Sequence, residues 1–171
     1  MKVKELMIRD VRTCQADDDL NRPAQIMWET DCGTVPVVDG AGIVKGMITD
    51  RDICMAAYTK GRCLEAIHVR STMARDVAAC SPEDTLEAAL ATMRKARVRR
   101  LPVTERNGRL VGILSMNDLA RHAAREIESG DRNPIQTEFT VAMGAICERT
   151  IPASGAKRDA KSSSRMVNAG S

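Results

Sequence analysis

The chain has 171 residues, 43% of them apolar and only 2% aromatic, with a net charge of +3 and a pI of about 8.6. That length holds one domain of ordinary size or two small ones sharing a core. The mild basicity and lack of aromatic stacking platforms exclude an obvious nucleic-acid footprint. No run nears the roughly 18 apolar residues of a membrane span.

The opening "MKVKELMIRD" is charged throughout and is not a secretory leader, so the cytoplasm is the expected location. Six cysteines stand at 14, 32, 54, 63, 80 and 147 with no CxxC pair, which predicts small buried apolar residues and no metal site.

From Met7 the chain reads "MIRDVRTCQADDDL", and the same pattern returns 66 residues later as "MARDVAACSPEDTL" from Met73. In the same register "TVPVVDGAGIVKGMITDRDI" from Thr34 falls on "RLPVTERNGRLVGILSMNDL" from Arg100. The match implies one supersecondary unit used twice, the second copy completing the core of the first.

Each unit opens on a short apolar strand, Val11–Cys14 and Val77–Cys80. A polar helix start follows, Asp17–Asp18 and Ser81–Asp84, with Pro82 suited to a first helical turn. Leu86, Ala89, Leu90 and Met93 then recur at helical spacing, and Trp28 with the methionines reads as core at the same period. Two strands joined by "DGAG" or "ERNG" turns come next, the Asn107–Gly108 pair tolerating positive φ at both residues. A second helix begins near Asp50 and Met116.

The fold class is therefore α+β (α/β), two β-α-β-β-α units. The expected organisation is a first repeat over 1–62, a linker over 63–72 and a second repeat over 73–128. A C-terminal extension over 129–150 carries a short amphipathic helix, and a disordered tail spans 151–171, rich in Ser, Ala, Lys and Arg.

"GMITDRD" at Gly46–Asp52 and "GILSMND" at Gly112–Asp118 mark the strand-to-helix junctions. Thr49 with Asp52, and Ser115 with Asp118, have capping-box spacing, although such boxes prefer the longer reach of Glu or Gln. Gly46 and Gly112 lie inside strands, where glycine often marks close approach by a ligand or another backbone. A carboxylate at a helix start is also placed to accept hydrogen bonds from ribose hydroxyls, and free N–H groups beside it can hold phosphate. Cap and nucleotide grip both remain open on these residues.

Two copies carrying "VPV" or "LPV" followed by Gly, two apolar residues, Ser or Thr, two of any kind and Asp resemble a tandem cystathionine β-synthase (CBS) domain pair, the Bateman module. The resemblance covers Met1 to about Glu128 and is closest to small bacterial proteins built of little else. It implies pseudo-two-fold symmetry and a non-enzymatic sensor of an adenosine-containing ligand: AMP, ADP or ATP, with S-adenosylmethionine or a dinucleotide such as NAD as variants.

Carried over, one cleft uses Gly46, Thr49 and Asp52 with Ala79, Arg100, Leu101 and Pro102. Its mate uses Gly112, Ser115 and Asp118 with Thr13, Thr34, Val35 and Pro36. Arg100 gives the first cleft a guanidinium where the mate has Thr34, so phosphorylated ligand is expected there first. The resemblance also implies a homodimer and a separate regulated partner, while the hydropathy, charge and aromatic content above lead to the expectation of no membrane or nucleic-acid partner. The competing reading is a structural or dimerisation protein whose clefts are vestigial.

Overall fold

The computed structural model describes residues 1–128 and 135–148. After a four-residue helix α1 (Val3–Leu6), the order is α2 (Asn21–Glu29), β1 (Thr34–Val38), β2 (Val44–Thr49), α3 (Asp50–Lys60), α4 (Leu86–Ala96), β3 (Arg100–Thr104), β4 (Leu110–Ser115), α5 (Met116–Glu128) and α6 (Ile135–Cys147). The α+β class and the doubled unit hold. The expected tail lies outside the described residues.

β1 and β2 form one antiparallel hairpin and β3 and β4 another, in equivalent registers that pair Val37 with Gly46 and Val103 with Gly112. Each turn is closed by a glycine N–H: Gly42 donates to Asp39 and Gly108 to Glu105, both at 2.9 Å. Only the glycines take positive φ, +77° and +84°, and a bulge follows each turn. Asn107 stays on the ordinary side of φ, because a type I turn with a glycine bulge needs only one left-handed residue.

The expected strands at Val11–Cys14 and Val77–Cys80 shrink to single parallel bridges, Cys14 to Val37 and Cys80 to Val103. The residues just before them cross over instead. Ile8 bridges Ile113 on the second hairpin, and Ala74 bridges Met47 on the first. Each repeat's leading segment thus extends the other repeat's sheet and covers its edge.

Helix starts fall later than Asp17 and Ser81. Asp18 and Asp84 accept from the backbone N–H groups of Gln15 and Ser81 at 2.7 and 2.8 Å, making local turns ahead of α2 and α4. Pro82 sits in that turn, and Thr85 caps α4 by accepting from Ala88 N–H.

Two apolar clusters form the interior. Leu20, Ile26, Val35, Val37, Ile48 and Ile53 gather in the first half; Leu86, Leu90, Met93, Leu101, Leu114 and Leu119 gather in the second. The linker belongs to the first cluster through buried Ile67 and Val69. α6 lies against α4 and α5, burying Ala142 with Phe139, Met143 and Ile146 packed beside it.

Two sequence expectations fail at the surface. Trp28 is 90% exposed despite its helical spacing, because it sits at the edge of the α2 stripe with nothing over it. Of the cysteines, only Cys14 and Cys80 are buried; Cys32 is half-buried, and Cys54, Cys63 and Cys147 are exposed.

Candidate functional site

The junction between β2 and α3 is built by a reciprocal box. Asp52 Oδ2 accepts from Thr49 N–H at 2.9 Å and from the Thr49 hydroxyl at 2.7 Å, while Asp52 N–H donates to Thr49 Oγ1 at 3.2 Å. Ser115 and Asp118 repeat this at 2.9, 2.6 and 3.3 Å. Asp reaches back after all, so the short side chain is no argument against capping. The box also fixes each carboxylate rigidly at the positive end of its helix.

The two carboxylates then differ. Asp118 is 4% exposed, and its second oxygen accepts from Arg121 Nη2 one turn along α5. The matching position on α3 is Met55, and Asp52 Oδ1 accepts no hydrogen bond among the described residues. One aspartate is closed; the other presents a free oxygen.

A cleft of about 500 Å³ opens beside Thr49 and Asp52. Its walls include Gly33, Thr34, Met47, Asp76, Val77, Ala78, Arg97, Val98, Arg99, Arg100 and, from α6, Ile146. A second cleft of about 480 Å³ opens beside Ser115 and Asp118, walled by Ile8, Asp10, Val11, Arg12, Asp31, Thr34, Arg100 and Arg121 among others. Both draw on both repeats.

Arg100 and Thr34, repeat equivalents, meet between the clefts: Arg100 Nη1 donates to Thr34 Oγ1 at 3.2 Å, and both residues line both cavities. The expectation that only one cleft has a guanidinium therefore fails, since Arg12, Arg100 and Arg121 all border the second. Their availability is another matter. Arg12 is paired with Glu29 at 2.6 Å and Arg121 with Asp118, whereas Arg51, Arg97, Arg99 and Arg100 enter no ion pair among the described residues. A charge swap adds to this difference. Arg97 and Asp31 are repeat equivalents, both left-handed at φ +53° and +48°, and line the first and second cleft respectively.

Of the residues carried over from the motif, Thr49, Asp52, Arg100, Thr34, Ser115 and Asp118 line the cavities. Ala79 and Thr13 do not; the walls come from Asp76, Val77 and Ala78 and from Asp10, Val11 and Arg12. The chain enters each repeat across the cleft and turns into the core only at Cys80 or Cys14. Leu101, Pro102, Val35 and Pro36 are buried in the strands rather than in the cleft walls.

Gly46 and Gly112 serve backbone approach. A Cβ on Gly46 would lie 2.8 Å from Ala74 O and Met73 Sδ, and one on Gly112 would lie 2.7 Å from Met7 Sδ and 2.9 Å from Ile8 O. The crossed-over segments require these glycines. The residues carried over from the motif do not include Arg97, Asp31 or Ile146, whose placement depends on helix ends and on α6 docking.

The sequence model of the CBS domain matches residues 3–58 and 68–125, about two thirds of the chain. The chain belongs to the CBS domain family. The CBS domain-containing protein YhcV of Bacillus subtilis is 35% identical over 69% of this chain and 82% of its own length. Inosine-5'-monophosphate dehydrogenase of Methanocaldococcus jannaschii is 34% identical, with 70% of this chain matching only 23% of that enzyme.

Among solved structures, a CBS-domain containing protein of Agrobacterium tumefaciens superposes with a TM-score of 0.64 at 32% identity, over 71% of this chain and 98% of that one. The CBS pair of protein MJ0100, solved with 5'-methylthioadenosine and S-adenosyl-L-methionine, superposes at 0.67 with 22% identity, over 74% and 98%. The two repeats described above are thus a pair of CBS domains.

Proposed function

We propose that this CBS pair is a non-enzymatic regulatory module that binds an adenosine-containing ligand of the AMP, ADP or ATP type. The observation that carries the reading is the Thr49/Asp52 cleft. It joins a carboxylate with one unengaged oxygen to arginines free of ion pairs and an apolar strip of Val77, Ala78 and Val98. The carboxylate suits vicinal ribose hydroxyls, the guanidiniums suit phosphate, and the apolar strip suits a base face. Support from the fold is that MJ0100 holds adenosine compounds on the same scaffold.

The Thr49/Asp52 cleft fills first, because Asp118 is already neutralised by Arg121 and Arg12 by Glu29. Titration with AMP tests this: Asp52→Ala loses tight binding and Asp118→Ala keeps it. The opposite pattern sinks the assignment. The division into repeats over 1–62 and 73–128 about a linker at 63–72 goes with this reading. So do a cytoplasmic location and a signal passed to a separate protein.

Self-association is the second element. Ala24, Met27, Trp28, Ile53, Cys54 and Ala57 border an open apolar groove on α2 and α3, and Tyr58 is exposed nearby. A homodimer through this face would bury Trp28, the chain's single tryptophan, so its emission would shift to the blue as concentration rises.

The boxes are also complete as helix caps, so the competing reading is a structural or dimerisation protein whose clefts bind nothing. Thermal shift with a panel of adenine ligands separates the two. A true ligand at a hundredfold excess over Kd stabilises by about 2.7 kcal/mol; no shift with any of them selects the structural reading.

A further inference from the structure

α6 lies outside both stretches that match the CBS family, yet it enters the candidate site. Phe139, Ala142, Met143 and Ile146 form a stripe at helical spacing on the α4–α5 side. Ile146, in the last turn, is only half-buried by that packing and also lines the Thr49/Asp52 cleft. Among the described residues, none of α6 lines the Ser115/Asp118 cleft, and the walls described come from the two repeats.

We propose that Ile146 is a ligand-contacting residue and that α6 is the closing wall of the Thr49/Asp52 cleft, so that ligand occupancy and α6 docking favour one another. The inference rests on the reading that an adenosine-type ligand occupies this cleft. Ile146 lines the cleft together with Val98 and Ala78, and all three also pack against the second cluster, so they supply apolar surface to its wall. Apolar wall takes the flat face of a base, not a phosphate, whose partners are the arginines.

Coupling follows from reciprocity. A ligand that touches docked α6, and cannot touch it undocked, gains affinity by some factor, and docking gains by the same factor. Removing most of one aliphatic side chain from such a contact weakens binding about tenfold. α6 then reports occupancy of one cleft only, at the face of the second repeat.

The test uses the full chain and AMP as the probe, with Kd from calorimetry and hydrogen exchange read over 139–147. AMP is expected to slow exchange across α6, and Ile146→Ala to weaken AMP about tenfold while Val141→Ala, at an exposed position of the same helix outside both clefts, does not. Should Ile146→Ala undock α6 by itself, seen as fast exchange without ligand, AMP is expected to restore protection. Ile146→Val, which keeps the branched carbon, then carries the affinity comparison with a loss of up to about fourfold, the worth of one buried methylene. AMP binding that depends on Asp52, with α6 exchange unchanged and wild-type affinity in both Ile146 variants, overturns the inference and leaves the site reading standing. Failure of every adenine ligand to bind the unaltered chain overturns both.

Discussion

The first and second repeats share a frame but differ in what covers them. Hairpin register, glycine turns, crossed-over edge segments and junction boxes agree position for position. The outer helical faces do not. On the second repeat Leu90, Met93, Leu119 and Ala123 are buried with α6 packed over the α4–α5 pair; on the first, the matching stripe of Ala24, Met27, Ile53 and Ala57 borders an open groove. A duplicated unit keeps what its own backbone needs and diverges where a neighbour is added.

Four measurements test how far the two halves differ, beyond the ligand titrations above. The largest effect is in thiol reactivity. Burial pushes the equivalent thiols Cys14 and Cys80 up to about 12 from an ordinary 9.0, so their thiolate fraction at pH 8 falls by about a thousandfold. Alkylation followed by mass spectrometry is expected to mark Cys54, Cys63 and Cys147 and spare both. Fast labelling of either one alone would break the equivalence of the two cores.

Next comes the covered face. Leu90→Ala is expected to cost about 2–5 kcal/mol in urea denaturation, because Leu90 is fully packed beneath α6 and the second sheet. Trp28→Ala on the open face stays within about 0.5 kcal/mol at concentrations where the chain is monomeric. Equal losses would mean that the first face is covered too.

The caps give a smaller contrast. Thr49→Ala and Ser115→Ala each remove the hydroxyl that both donates to the carboxylate and accepts from the helix, at about 0.5–2 kcal/mol. Ser115→Ala is the costlier, since Asp118 is buried and loses one of its three donors, while water reaches Asp52 more readily.

The smallest effect lies at another repeat-equivalent pair, Asp17 and Glu83, which bind Arg70 and the Lys2–Lys4 pair respectively. Hydrogen bonds from Lys2 and then Lys4 hold the Glu83 carboxyl down at about 2, from 4.5. A depressed carboxyl contributes stability that is present above about pH 4.5 and is lost as pH falls through about 2. The urea midpoint of the unaltered chain therefore drops in that window more than that of Glu83→Gln, modestly, because these groups are solvent-exposed.

Much of the fold was legible because its signals are local or periodic. The apolar spacing of Leu86 to Met93 and the box at Thr49 and Asp52 concern residues within a few turns of each other, and the echo at 66 residues needs only the chain set against itself. What was misread depended on partners far along the chain. Val11–Cys14 has strand composition, but most of its backbone spans a cleft instead of pairing. Trp28 has core spacing, which fixes a helical face without saying that anything covers it.

The sequence alone therefore determined the repeated strand-turn-helix unit and the rigid placement of Asp52 and Asp118, because capping chemistry acts over three residues. The tertiary structure decided the rest. Only packing could swap the leading segments so that Gly46 meets Ala74 and Gly112 meets Ile8, and only packing could pair Asp118 with Arg121 in a buried site. It also set α6 on one repeat and not the other, since sequence periodicity names the apolar face of a helix but not the surface that it meets.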